Sequence, residues 1–267
     1  MSSLSLRRHG RRFAKHAWWM GLAVTGLLVA RTAVPLAVLQ GASEVAGNFL
    51  QTFGGIYGVI VAFAIFVVWQ QHNDTQIAVE REAVALGELF TILGWFASWA
   101  RRDLVRERLR AYARVVPALN GATSERAATD DRQLLDDSLA DFLAYRADAS
   151  GDARFSDTAL DLFHELNEAR EHRITVSRLH LPEGLRWFVY LGGALLVAAV
   201  WLLYTESLVV QALFTAGMTW IIVAVTSLIL DLDDPFQGDF VVDWGRFNQA
   251  AARMEAQVCP AATPPTR

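Results

Sequence analysis

One cysteine, Cys259 in "QVCPAATPPTR", stands in a chain of 267 residues. A lone thiol rules out an intrachain disulfide framework, and no cysteine cluster is available for a metal centre. Lysine is nearly absent as well, with Lys15 set against 23 Arg, a bias that together with abundant Ala points to a bacterium with a GC-rich genome. No GxGxxG fingerprint, P-loop or nucleophile elbow occurs, so the chain offers no recognisable enzyme chemistry and is read as a non-enzyme. Period-two alternation is missing over any useful length, and strands are required nowhere.

Charge is also missing, and where it is missing is informative. Uncharged runs cover residues 17–30, continuing past Arg31 to about 39, and then 45–71, 187–205 and 207–230. Each is near the roughly 20 residues that a helix needs to cross the hydrocarbon core of a bilayer. With 53% hydrophobic residues and nine Trp, the expected fold class is an all-α membrane protein with four transmembrane helices and a helical cytoplasmic domain.

Orientation follows from Arg and Lys. "LRRHGRRFAKH" places Arg7, Arg8, Arg11, Arg12 and Lys15 before the first run, and that end is expected to stay cytoplasmic. A cleaved signal peptide is the rival reading of the same pattern, opposed by the apolar character that resumes after Arg31. The loops expected outside are short and nearly uncharged, whereas residues 72–186 hold 15 Arg. The expected organisation is a basic N-terminus at 1–16, two spans within 17–71, cytoplasmic helices at 72–183, two spans within 184–230, and a cytoplasmic segment and tail at 231–267. Both termini then lie in the cytoplasm of a multi-pass protein of the bacterial plasma membrane.

Beyond Gln70 the second span is expected to run on into the cytosol as one amphipathic helix, because apolar residues keep recurring at helical spacing as far as Tyr112. Pro117 and "NGATS" end that stretch, with Ser124 or Thr129 available to cap the next element. Two more amphipathic helices fit "DRQLLDDSLADFLAYRA" and "DTALDLFHELNEAREHRITVSRL". Pro182 suits the first turn of the third span.

Four groups of residues stand out as candidate sites. On the second span Phe49, Phe53, Tyr57, Ile60, Ala64 and Val67 share one side at 100° per residue, a lipid-facing surface or the hydrophobic constriction of a pore. Gly54 and Gly58 lie roughly opposite, as a small-xxx-small ladder for helix packing. Arg31 lies about 20 Å along the first span, either reaching for the outer interface and Glu44 or drawing anions into an outer vestibule. In "DLDDPFQGDF", Asp231, Asp233, Asp234 and Asp239 follow the last span, where a helix C-terminus disfavours negative charge. Arg178 and Arg186 are the candidate counter-charges. His164, Glu168 and His172 share a helix face but match no zinc or di-iron pattern, so no metal is expected.

Three separated stretches, "SEVAGNFLQTFGGIYGVIVAFAIFVVWQQHNDTQIAVEREAVALGEL", "LPEGLRWFVYLGGALLV" and "DLDDPFQGDF", resemble the bacterial bestrophin-like domain family across about residues 44 to 243. The resemblance implies an ion channel of several identical subunits, with the second helix lining the pore and long helices continuing into a cytosolic vestibule. By that likeness Ile60, Phe63 and Phe66 correspond in kind to the closely spaced Ile and Phe of a pore neck; they do not all share the face of Phe53 and Tyr57, so either side of the helix is a candidate pore lining. "DPFQGDF" is loosely similar to a segment that helps bind calcium in animal members, but Asp234 replaces an Asn and Gly238 comes one residue late. The expected cofactor is therefore none, with calcium implied only by that likeness. The expected function is an oligomeric, membrane-embedded channel for small ions, anions in particular. The alternative is a membrane-anchored interaction or signalling module that works through its cytoplasmic helices.

Overall fold

A computed structural model of the chain describes residues 3–96, 100–118, 125–148 and 153–257. Their order is α1 (Ser3–Ala33), α2 (Leu36–Leu93), α3 (Arg102–Ala118), α4 (Glu125–Asp148), α5 (Ala153–Ser177), α6 (Glu183–Leu202), α7 (Leu208–Asp233) and α8 (Gly245–Ala256), with no strand among the described residues. The helices form two units. Residues 1–69 and 180–233 make the first, and 70–179 with 234–267 the second, so α2 contributes to both.

In the first unit, Pro35 ends the first apolar run earlier than its composition suggests. Proline cannot donate a backbone hydrogen bond, but its carbonyl accepts from Val38 N at 2.9 Å and so opens α2. Residues 36–39, expected at the end of the first span, therefore belong to the second helix. Three helices among the described residues are long and apolar enough to cross a membrane: α2, α6 and α7. Four spans were expected. The apolar centre of α1 falls short of the same measure because it is bracketed by Lys15 and His16 on one side and Arg31 on the other.

The core of this unit forms where α6 meets α2 and α7, around Tyr57, Val61, Ala64, Val68, Val189, Leu196 and Ile229. Gly192 and Gly193 make the approach possible. A Cβ at 192 would stand 2.7 Å from a Tyr57 ring carbon, and one at 193 would stand 2.6 Å from Ile222 Cγ2. Small residues at such crossings let helices come close enough for dense packing. The turn between α6 and α7 is held by side chains: Gln211 Nε2 donates to Leu203 O at 2.5 Å, and Tyr204 N donates to Ser43 Oγ at 3.2 Å.

In the second unit the long amphipathic helix expected to run on past residue 100 stops at Leu93. There Gly94 N and Trp95 N bond to Thr91 O and Ile92 O, tightening the end of α2 into a turn that sends Phe96 into the core. Gly87, which interrupts the sequence pattern, lies inside α2. α3 buries Val105, Leu109, Tyr112, Ala113 and Val116, one stripe at helical spacing. Phe142 and Phe163, from α4 and α5, pack at 5.4 Å between ring centroids. Thr129 lies inside α4, and Ser124 lies outside the described residues. α8 went unread in the sequence. It closes this core with Phe247, Ala250 and Met254.

Buried charge binds four helices of the second unit together. Arg173 pairs with Glu82 and lies 3.3 Å from Asp131, which Arg170 contacts at 2.6 Å, while the Tyr112 hydroxyl donates to Glu82. Two carboxylates and two guanidiniums sum to zero. Burial opposes the charge on Arg173, but Glu82 and its other neighbours hold its pKa above the ordinary value. Burial and then the Glu82 charge push the Tyr112 phenol well above its usual range.

Removing one partner should strand the other. Arg173→Met is expected to cost roughly 3–5 kcal/mol, and adding Glu82→Leu should recover much of that loss, as read by denaturant unfolding in detergent. Tyr112 predicts an alkaline limit. Its folded pKa lies above the unfolded one, so its contribution is intact below about pH 10 and is lost as pH rises through the folded value. The unfolding temperature should therefore fall above about pH 10, and less steeply in Tyr112→Phe.

Candidate functional site

The contact with α6 divides the first-unit part of α2 into two faces. Ala46, Tyr57, Val61, Ala64 and Val68 are buried, and Phe49, Phe53 and Tyr57 stack in sequence with ring centroids 5.0 Å and then 6.4 Å apart. Tyr57 also donates its hydroxyl hydrogen to Val189 O at 3.0 Å, which leaves no buried donor unpaired at the ring. Half a turn away, Asn48, Gln51, Thr52, Gly55, Ile56, Val59, Ala62, Phe63 and Phe66 are all exposed. Val59 is 71% exposed, Phe63 59% and Phe66 60%. At 1.5 Å per residue this open face extends about 27 Å, polar at its Asn48 end and apolar through Phe66.

The five aromatic and aliphatic candidates thus fall on different faces. Phe53 and Tyr57 are turned into the helix packing, Ile60 sits half-buried at the margin, and Phe63 and Phe66 are on the open face. Gly54 is half-buried, and a Cβ there would meet Leu196 Cδ2 at 3.7 Å. Gly58 has nothing within 4 Å of that position. Sequence spacing resolved the two faces, but it carried no information on which of them α6 would cover.

Arg31 is half-buried. It donates to Thr205 O, and its guanidinium carbon lies 5.3 Å from the centroid of the Tyr204 ring. A carbonyl and an aromatic face thus disperse the charge, and Glu44 is exposed to solvent.

The acids after the last span separate by role. Asp233, in the last turn of α7, is buried, accepts from Leu181 N at 2.5 Å and pairs with Arg186 at 2.7 Å. Arg186 lies in the first turn of α6 and Leu181 just before its N-cap Pro182, where helix polarity is positive. The carboxylate that is unfavourable at the end of its own helix is therefore favourable at the beginning of the preceding one. The counter-charge it meets is Arg186. Asp234 Oδ1 accepts from Phe236 N at 3.2 Å, beginning the bend. Gly238, at φ 96°, takes the left-handed conformation that the chain needs to reverse there. Phe236 then stacks on Trp244 at 5.9 Å, and Gln76 clamps the Asp243 backbone through a 2.8 Å bond from Asp243 N. Asp231 lies in the last turn of α7 and Asp239 in the bend. His164, Glu168 and His172 are exposed along α5.

Gly192 should tolerate no side chain while Tyr57 keeps its ring. Gly192→Ala is expected to cost about 1–3 kcal/mol, and its loss and that of Tyr57→Leu should be strongly non-additive in a double-mutant cycle of unfolding in detergent.

The model of the Bestrophin-like domain matches residues 17–245 of this chain. No curated protein matches it. Among solved structures, a bacterial bestrophin homologue from Klebsiella pneumoniae aligns at a TM-score of 0.68 and 14% identity, covering 91% of this chain and 97% of the other. A single-substitution variant of that homologue aligns at 0.71 and 13%, covering 91% and 99%. A crystal structure described as a membrane protein variant aligns at 0.68 and 13%, covering 95% and 100%.

Proposed function

The chain belongs to the Bestrophin-like family, and from that premise we propose that it is a homo-oligomeric ion channel of the bacterial plasma membrane, with the open face of α2 turned to a central pore. The observation that carries this reading is the contrast between exposed surfaces. Those of α6 and α7 are dominated by bulky apolar residues such as Trp187, Leu191, Leu213, Phe214 and Ile221, as contact with lipid tails requires. The open face of α2 instead begins with Asn48, Gln51 and Thr52, whose amides and hydroxyl suit water and ions, and narrows in character to Val59, Phe63 and Phe66. Apolar rings at such a position act as a constriction that passes ions when wetted.

One chain supplies one such face, so a pore needs several copies around an axis. Anions are favoured because α2 carries no carboxylate between Glu44 and Asp74, while its side-chain amides offer donors. In this reading α1 is a fourth span and both termini are cytoplasmic, as the arginines of the N-terminus favour. Asp233 is engaged by Arg186 and Leu181 N, so that carboxylate serves α6 rather than a bound cation.

Purified protein in planar bilayers should give chloride-carrying currents, and its mass in mild detergent should be a multiple of the 29.6 kDa chain. Phe63→Ala and Phe66→Ala should raise conductance several-fold, whereas Val61→Ala, buried on the packed side, should not. A monomer in detergent together with silent bilayers would reject the channel and favour the interaction-module reading.

A further inference from the structure

Arginines in the second unit are mostly answered by acids. Arg101 and Arg108 share Asp141, Arg110 meets Glu107, and Arg114 meets Glu255. Arg106 lies over the Phe90 ring at 4.1 Å and donates to Gln257 at 3.3 Å. Arg246 and Arg253 of α8, like Arg81 and Arg178, are not so answered among the described residues. The α8 pair is exposed, and among the described residues neither meets a carboxylate.

These two arginines stand on the rim of a cavity of about 590 Å³ bounded by α2, α5 and α8 of the second unit. Its floor is apolar, built by Phe90, Ala250 and Met254, and Trp95 stands at its margin, 66% exposed. Glu88 is the single acid in the lining. Small-molecule sites are commonly concave, about 300–1,000 Å³, largely apolar, and equipped with a few placed polar groups. Every one of those properties is met.

We propose that this cavity binds a small organic anion, a molecule with an aromatic or aliphatic body and one phosphate or sulfonate head. The body rests on the Phe90, Ala250 and Met254 floor beside Trp95, and the head lies between Arg246 and Arg253. Seven residues apart, the two arginines are two turns apart on one helix face, about 10.5 Å along the axis. Side chains of their length can reach one head across that distance. Guanidinium forks match phosphate oxygens in geometry as well as charge. Two arginines and Glu88 leave the rim with a net charge of +1, which suits a single anionic head and penalises a polyanion.

The test uses the purified full chain and does not require conduction, so its outcome is separate from that of the channel reading. The probe is 1-naphthyl phosphate, compared with 1-naphthol and inorganic phosphate by titration calorimetry and tryptophan fluorescence. Naphthyl phosphate should bind once per chain, and each fragment should bind at least about tenfold more weakly, because apolar body and head contribute separately. Arg246→Gln with Arg253→Gln, both solvent-exposed, should weaken binding by about tenfold or more, and Trp95→Phe should remove the fluorescence change while binding persists. Absence of binding, equal binding by naphthol, or equal binding by the double variant would overturn the proposal. So would a double variant that loses oligomer mass without any naphthyl phosphate binding in the parent, which would assign the groove to a second copy of the chain.

Discussion

Tyr57 places its ring against backbone that only Gly192 and Gly193 leave bare, and its hydroxyl ends on the Val189 carbonyl. That contact sets the rotation of α2 about its own axis. Sliding the helix by one residue would turn it by 100° and carry the ring away from the glycines. Once Tyr57 is inward, Ala64 and Val68 must follow it, and Val59, Phe63 and Phe66 must face the other way. The open face on which the functional proposal rests is thus the complement of a packing decision made on the opposite side of the helix.

Among the described residues, the buried charges of both units find their partners on other elements. In the first unit Asp233 serves α6 rather than its own helix, and Arg31 serves the connection between α6 and α7. In the second, Glu82 and Asp131 each hold an arginine of α5. Buried ion pairs of this kind add little net stability compared with apolar packing, but breaking one is costly. They therefore select one arrangement of helices over its alternatives more than they strengthen it.

Much of this was legible beforehand. The uncharged runs marked α2, α6 and α7, and the amphipathic stretches located α4 and α5 to within a few residues at most ends, because burial on one side of a helix leaves a periodic trace. The break at Gly94 was not legible, since the apolar period continues across it and only the tertiary core decides that Phe96 turns inward. α8 was overlooked for the opposite reason. It is short, and its three buried residues look like a sparse pattern until a core is there to receive them. Pairing of Glu82 with Arg173 joins positions 91 apart, a separation at which no local spacing rule operates.

"DLDDPFQGDF" marks the boundary well. By itself the sequence determined that acids follow an uncharged helix and that arginines near the start of the third span were the available counter-charges. Tertiary structure alone decided that Asp233, among the acids in that run, accepts from Leu181 N and pairs with Arg186, and that Phe236 stacks on Trp244. The reason is physical. Charge, helical period and turn residues are local properties that a chain carries wherever it goes, whereas the choice among equivalent carboxylates or faces depends on which neighbour arrives.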